Sequence, residues 1–292
     1  MRKLLRLVCI LMAMLCLCSA TMAEEKGDEI PIRGWDKEQG YIYLTLGTFP
    51  QTALGERQPI LWRVLSAESE RAFLLSEYVL EARRIHGDYK EFANKPTHKT
   101  KPGFDGDYTQ TEMARYLNGE FMQNFTEGEL ALIAPDAEMG CFFLLSADDL
   151  KNKDYGFVSN ESRKAWGTDY AKENGLFVYR VARGSHSPYW TRTQSTSNAQ
   201  GARCVKSQGE IGYINVITED EGMRPACWLD LTKAAILSGT GTKEDPFVLD
   251  TAQEPVVADV VVLDNPTADF SASASAALLC PGGQDHHVDL RR

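Results

Sequence analysis

Two short segments constrain the fold most: Tyr189-Trp-Thr-Arg-Thr193 and, about thirty residues on, Gly222-Met-Arg-Pro-Ala-Cys-Trp-Leu229. Each joins bulky aromatic residues to an arginine inside a strand-like run. A guanidinium carries five N–H donors and cannot shed its charge. A sheet that takes in such a side chain must therefore supply carboxylates or backbone carbonyls to it. This predicts two ribbons lying side by side and tying the C-terminal half of the chain to the segments before it.

The N-terminus reads as an export signal. Arg2, Lys3 and Arg6 precede an uncharged apolar stretch from Leu7 to Ala20, which is shorter than the roughly 20 residues a membrane span needs. Thr21-Met-Ala23 offers small residues for cleavage after Ala23, so residues 1–23 are expected to leave and the protein to be secreted or held in the cell envelope. Cleavage removes three basic and no acidic residue from totals of 31 and 41, leaving a mature charge of −13. A surface that acidic disfavours nucleic acid and anionic lipid as partners. No second apolar run is long enough to span a bilayer, so no stable membrane insertion is expected after cleavage. Of the seven cysteines, Cys141, Cys204, Cys227 and Cys280 remain in the mature chain. In an oxidising compartment disulfides persist, and four cysteines allow three pairings. Cys204 and Cys227, both in strand-like runs of one region, are the favoured pair; the alternative leaves all of them as small buried hydrophobes.

Alternation predicts a strand over Tyr41-Ile-Tyr-Leu-Thr-Leu46, ended by Gly47-Thr-Phe-Pro50. Ile60 to Leu65 and Ala72 to Ser76 predict a hairpin with Ile60, Trp62 and Val64 on one face and Arg63 on the other. The polar stretch from His86 to Tyr108 is a long loop. Thr109 with Glu112, and Thr126 with Glu129, are capping boxes ahead of short helices, and Ser146-Ala-Asp-Asp149 caps a third. Ser162 to Lys172 is expected to be helical, with Gly175 ending it. Cys141 to Leu145, Ala202 to Lys206, Gly209 to Asn215, Met223 to Leu229 and Phe247 to Leu249 are the later strands. Residues 24–250 are expected to form a single α+β domain, with a twisted mixed or antiparallel sheet, short helices and long loops. Residues 251–292, with Ser271-Ala-Ser-Ala-Ser-Ala276, are expected to be a low-complexity, disordered tail.

Catalytic signatures are sparse. The chain has no His-Glu-x-x-His, no Gly-x-Ser-x-Gly and no phosphate-cradling loop. Gly239-Thr-Gly241 runs into Asp245-Pro246 rather than a helix, so it is no dinucleotide fingerprint. Ser185-His-Ser187 are adjacent residues that point apart. Asp88, Asp105 and Asp107 match no calcium loop, and Glu219-Asp-Glu221 reads as a solvated acidic turn. His286-His287 lie in the tail without fixed geometry, so no metal, cofactor or catalytic residue is assigned. Trp190, Arg192 and Arg224 remain as candidate ligand contacts, since an indole face beside two guanidiniums can stack on a sugar or hold a carboxylate. The competing reading makes them braces. It carries more weight, because strand-embedded arginines flanked by aromatics usually knit a fold together.

The ordered series Ile60-Leu-Trp-Arg-Val-Leu65, Leu74-Leu-Ser76, Ala114-Arg-Tyr-Leu-Asn118 with Phe121 and Phe125, Phe143-Leu-Leu-Ser146, Tyr189-Trp-Thr-Arg192 and Gly222-Met-Arg-Pro-Ala-Cys-Trp-Leu229 resembles the bacterial domain-of-unknown-function family numbered 6273. The resemblance covers about residues 40–250 and implies a secreted or surface protein, chiefly of Gram-positive anaerobes. The chain departs from the family pattern at Tyr189, at Thr191 to Gln194 and at Cys227. More distantly, it is similar to the C-type-lectin-like fold of formylglycine-generating enzymes, which oxidise a substrate cysteine with a cysteine pair. The sugar-reading Glu-Pro-Asn and Trp-Asn-Asp motifs of calcium-dependent lectins are absent. The resulting expectation is a C-type-lectin-like, non-catalytic module that binds an extracellular glycan or protein. The alternatives are an oxidase of the formylglycine-generating type and a hydrolase acting on cell-wall material.

Overall fold

The hairpin predicted from Ile60 to Ser76 is the centre of the molecule. The computed structural model describes residues 31–87, 107–181, 184–197 and 200–252, and from Ile32 onward they belong to one compact unit. In chain order the strands are β1 (Tyr43–Pro50), β2 (Arg57–Ala67), β3 (Arg71–Ser76), β4 (Glu81–Ala82), β5 (Ile133–Ala134), β6 (Phe143–Leu144), β7 (Tyr179–Val181) and β8 (Gly184–His186). They continue with β9 (Tyr189–Gln194), β10 (Gly201–Val205), β11 (Ile211–Asn215), β12 (Gly222–Met223), β13 (Pro225–Asp230), β14 (Ile236–Ser238) and β15 (Phe247–Leu249). The first sheet runs β14-β15-β1-β2-β3-β13-β5, with β6 also on β13; the second runs β11-β10-β9-β12-β4. With only short helices beside these mixed sheets, the class is α+β.

Side-chain alternation explains the centre of the first sheet. Ile60, Trp62 and Val64 are fully buried, and the Trp62 indole donates to the Leu46 carbonyl at 2.8 Å. Beneath it Phe142 stacks at 6.2 Å and meets Phe121 and Phe125 at 5.2 and 4.6 Å. Arg63, on the opposite face, is buried too. Its Nε donates to Glu77 at 2.6 Å, and Lys243 donates to the other Glu77 oxygen at 2.6 Å.

Two short links join the sheets. After β3 the chain continues through Val79 to β4, and after β12 it returns through Arg224 to β13. The predicted single strand from Met223 to Leu229 is therefore two, and Pro225, with no N–H to give, opens the second. Arg224 sits at this crossing and donates to the carbonyls of Ser76 and Glu77 at 2.9 and 3.2 Å, where the other crossing begins. The two arginine-bearing ribbons do lie side by side, because Gly222 pairs in parallel with Tyr189.

Several boundaries differ from expectation. β1 does not stop at Gly47: it bulges between Thr45 and Thr48 and continues to Pro50. Gly47 takes φ of 70°, and an added Cβ would lie 2.4 Å from the Phe125 ring. The helix Glu112–Leu117 is capped by Thr111, not Thr109, whose hydroxyl instead donates to Asp107. The capping box at Thr126 and Glu129 forms as predicted, ahead of the helix Glu127–Ala131. Ser146 and Asp149 also bond reciprocally at 2.7 and 3.0 Å, opening a 3-10 turn. The helix expected over Ser162 to Lys172 is two short ones, Asn160–Arg163 and Asp169–Glu173. Between them Ala165 bridges Ser187 and Gly167 bridges Val79, so sheet-type pairing wins over helix there. β14, and the parallel pairing of β15 with β1, are additions that the sequence reading did not contain.

Most of the His86 to Tyr108 loop lies outside the described residues, as do Cys280, the export signal and nearly all of the expected tail. Among the described residues no helix is long and apolar enough to cross a membrane.

Candidate functional site

The three sequence-predicted contacts part company. Trp190 is 1% exposed and its indole donates to the Arg83 carbonyl at 2.7 Å. Arg224 is equally buried, its guanidinium 5.0 Å from the Tyr189 ring centre. Neither presents a face to a ligand, so both are corrected to braces: burial first depresses the Arg224 pKa, and the two carbonyls and the ring hold the cation in place. Arg192 alone reaches a cavity, of about 590 Å³, but it already donates to the Leu144 carbonyl at 2.6 Å and pairs with Asp149 at 3.0 Å.

The expected Cys204–Cys227 disulfide is also corrected. Cys204 lies in β10 of the second sheet and Cys227 in β13 of the first, and both are buried free thiols. Burial pushes the Cys204 thiol up to about 12 and Cys227 well above its ordinary value. Thiols held protonated this firmly are poor nucleophiles and poor metal ligands. Of the acidic residues weighed for calcium, Asp107 caps a 3-10 turn, while Asp88 and Asp105, like His286 and His287, lie outside the described residues. Ser187 is buried and its backbone donates to Ala165, while the His186 ring packs 4.5 Å from Trp166.

Trp166 is the aromatic residue that sequence reasoning passed over. The segment carrying it is fixed by backbone bonds: Val79 donates to the Trp166 carbonyl at 2.9 Å and Thr168 to the Val79 carbonyl at 3.0 Å. Gly167 leaves room for the Leu176 side chain, which would lie 2.3 Å from a Cβ there. Thr168 then caps the helix Asp169–Glu173 through Ala171 N. The result is a rigid backbone with an indole 42% exposed. Its place in an expected helix hid it, because a helical tryptophan reads as core.

Trp166 borders a cavity of about 540 Å³ whose other walls include Tyr78, Gln58, Asp169, Lys172 and Lys243. The far side is as well fixed. The Gln51 side-chain amide donates to the carbonyls of Gln58 and Pro59 at 2.9 and 2.7 Å, and the Gln51 backbone carbonyl accepts from Tyr170 N at 3.1 Å. Lys243 lies 5.2 Å from the Tyr78 ring centre; burial would lower its pKa, but the bond to Glu77 raises it. Lys172 pairs with Asp169 at 2.9 Å. Exposed aromatic surface, amides, a carboxylate and two ammoniums on a stiff frame suit a ligand rich in hydroxyls. Asp169 is the single acid among the residues walling this cavity, whereas glycoside hydrolysis needs a facing pair. Among the described residues no three His, Cys, Asp or Glu side chains converge as metal ligands.

Residues 139–231 match the model of a family described as a domain of unknown function (DUF6273). That segment carries β6 to β13, Trp166, Arg192 and Arg224, and it supports the family resemblance over that part of the chain. No curated protein and no solved structure matches the chain.

Proposed function

We propose that this chain is an exported, non-catalytic module of the cell surface or exterior, and that it binds a glycan in the cavity beside Trp166. The exposed indole on a fixed backbone is the observation that carries the reading. Aromatic faces bind sugar rings by stacking, and the surrounding polar groups orient the hydroxyls. The basic and apolar run before Ala23 supports export. The lectin-like core belongs to the same proposal; its support is the Trp-x-Arg strand lying parallel to Gly222–Met223. Buried, protonated thiols give the oxidase alternative no support, and a lone, lysine-paired Asp169 gives the hydrolase none.

A glycan array probed with the mature protein tests this. Trp166→Ala should abolish retention and leave the melting temperature within a few degrees, since surface substitutions usually change stability by less than about 0.5 kcal/mol. Trp190→Ala should instead cost about 3–5 kcal/mol as a core truncation. Retention that survives Trp166→Ala in a folded protein would overturn the proposal.

A further inference from the structure

The charge of the Trp166 cavity runs against the charge of the chain. The protein carries ten more acidic than basic residues, yet the cavity wall holds two lysines, Lys172 and Lys243, against Asp169 alone. Glu244 and Asp245, next to Lys243 in sequence, are not among the walls. Both ammoniums stand on fixed backbone. Lys172 belongs to the helix Asp169–Glu173, which Thr168 caps. Lys243 sits in a turn closed by Thr240 N on the Asp245 carbonyl at 3.0 Å, and Tyr43 N of β1 holds that turn by the Gly241 carbonyl at 2.8 Å.

Behind Lys243 the imbalance deepens. Glu77 accepts from Arg63 Nε and from Lys243 Nζ at 2.6 Å each, and Arg224 donates to its backbone carbonyl at 3.2 Å. Among the described residues no other carboxylate pairs with these three cations, so one anion leaves two positive charges over. Arg63 and Arg224 are buried, where water and salt screen charge least. The surplus is therefore felt where the cluster meets solvent, and Lys243, with its side chain 35% exposed, is that point. A cleft with low-dielectric walls focuses such a field on whatever enters it. Lys172, 32% exposed, is equally within reach. An ammonium has three N–H donors; among the described residues Lys172 gives one to Asp169 and Lys243 one to Glu77, which leaves two on each.

We propose that the ligand of this cavity is an acidic glycan, whose carboxylate or sulfate faces the ammoniums of Lys243 and Lys172 while a sugar ring stacks on Trp166. The inference rests on the glycan reading of the cavity and narrows it. A neutral sugar can use the indole and the amides, but it brings no counter-charge to the two lysines or to the buried guanidiniums behind them. An anion brings one, and it does so in a chain whose remaining surface repels anions. The preference for acid is thus local to this cavity and follows from its lysines.

The test is a glycan array on which each uronate glycan is printed beside its carboxyl-reduced counterpart and each sulfated glycan beside its desulfated one, probed with the mature protein. At 50 mM salt the acidic member of a bound pair should be retained about five- to twentyfold more strongly, and the gap should shrink to about twofold at 1 M salt. The set of pairs that shows the gap, uronate or sulfated, identifies the anion. Lys172→Gln, at a partly exposed position where folding is not at risk, should cut the preference about three- to fivefold. Lys243→Met should cut it at least as far, with the melting temperature recorded because Lys243 also serves Glu77. Equal retention of both members of every bound pair would overturn the inference and leave the glycan reading standing. A preference that survives both lysine substitutions in folded protein would overturn it as well, since the anion then sits elsewhere. Retention of no glycan at all would sink the glycan reading and this inference with it.

Discussion

Glu77 and Glu221 are buried almost equally, at 3% and 4% exposure, yet their carboxyl groups titrate in opposite directions. Burial raises both. At Glu77 the charges of Arg63, Arg224 and Lys243 outweigh it and hold the carboxyl below its ordinary value. At Glu221 one lysine, 3.7 Å away, does not outweigh it, and the carboxyl rises to about 7. Depth alone does not set the protonation state. The number and closeness of compensating cations does, and it separates an acid held ionised within a brace from an acid that takes up its proton near neutrality.

The largest break in this comparison is Glu77→Ala. It strands Arg63 and Lys243, and Arg63 has almost no access to water. Unpairing a buried charge costs about 3–5 kcal/mol, to be read as a lower denaturation midpoint in guanidinium chloride. An unchanged midpoint would mean that the cluster contributes nothing.

The pH profile sharpens the contrast. The folded Glu221 carboxyl titrates above its ordinary 4.5, so between about pH 4.5 and 7 the folded state holds the extra proton. Stability therefore falls as pH rises through that window, by on the order of 3 kcal/mol in total. Glu77 has the opposite sign: its folded pKa is depressed, so its contribution is complete above 4.5 and is lost as pH falls through the folded value. Denaturant midpoints measured from pH 4 to pH 8 should show the alkaline decline in the wild type and not in Glu221→Gln. A decline that persists in the variant would assign it to another group.

How much of this the sequence discloses depends on whether the deciding contacts are local. The hairpin and the caps at Thr126 and Ser146 are legible because alternation and side-chain-to-backbone bonds act within a few residues. The partition into two sheets is not. Met223 to Leu229 reads as one apolar strand, and Pro225 is the sole local sign that the ladder breaks there. Trp190 and Trp166 show the same limit for the site. A tryptophan beside an arginine advertises a contact surface, but long-range pairing buries Trp190 and leaves Trp166 outside. Glu219-Asp-Glu221 reads as a solvated acidic turn, and nothing nearby marks Glu221 as the member folded inward except the glycine that follows it. Within the first sheet, Glu77 and Lys243 meet across 166 residues, a separation no spacing rule reaches.

The finest test compares the two lysines. Lys243 donates to Glu77 at 2.6 Å, whereas Lys206 faces Glu221 without a bond, and each is about a third exposed. Partial exposure lets solvent screen both charges, so neither is worth more than about 1–2 kcal/mol. Lys243→Met should cost close to that at both pH 6 and pH 8, because Glu77 is ionised throughout. Lys206→Met should cost about 0.5–1 kcal/mol at pH 8 and less than half of that at pH 6, where most Glu221 is already protonated and has no charge to lose a partner. The difference between the two pH values, rather than either cost alone, carries the information. If Lys206→Met costs the same at pH 6 and pH 8, Glu221 is not the group it serves, and the two acids differ in something other than the cations around them.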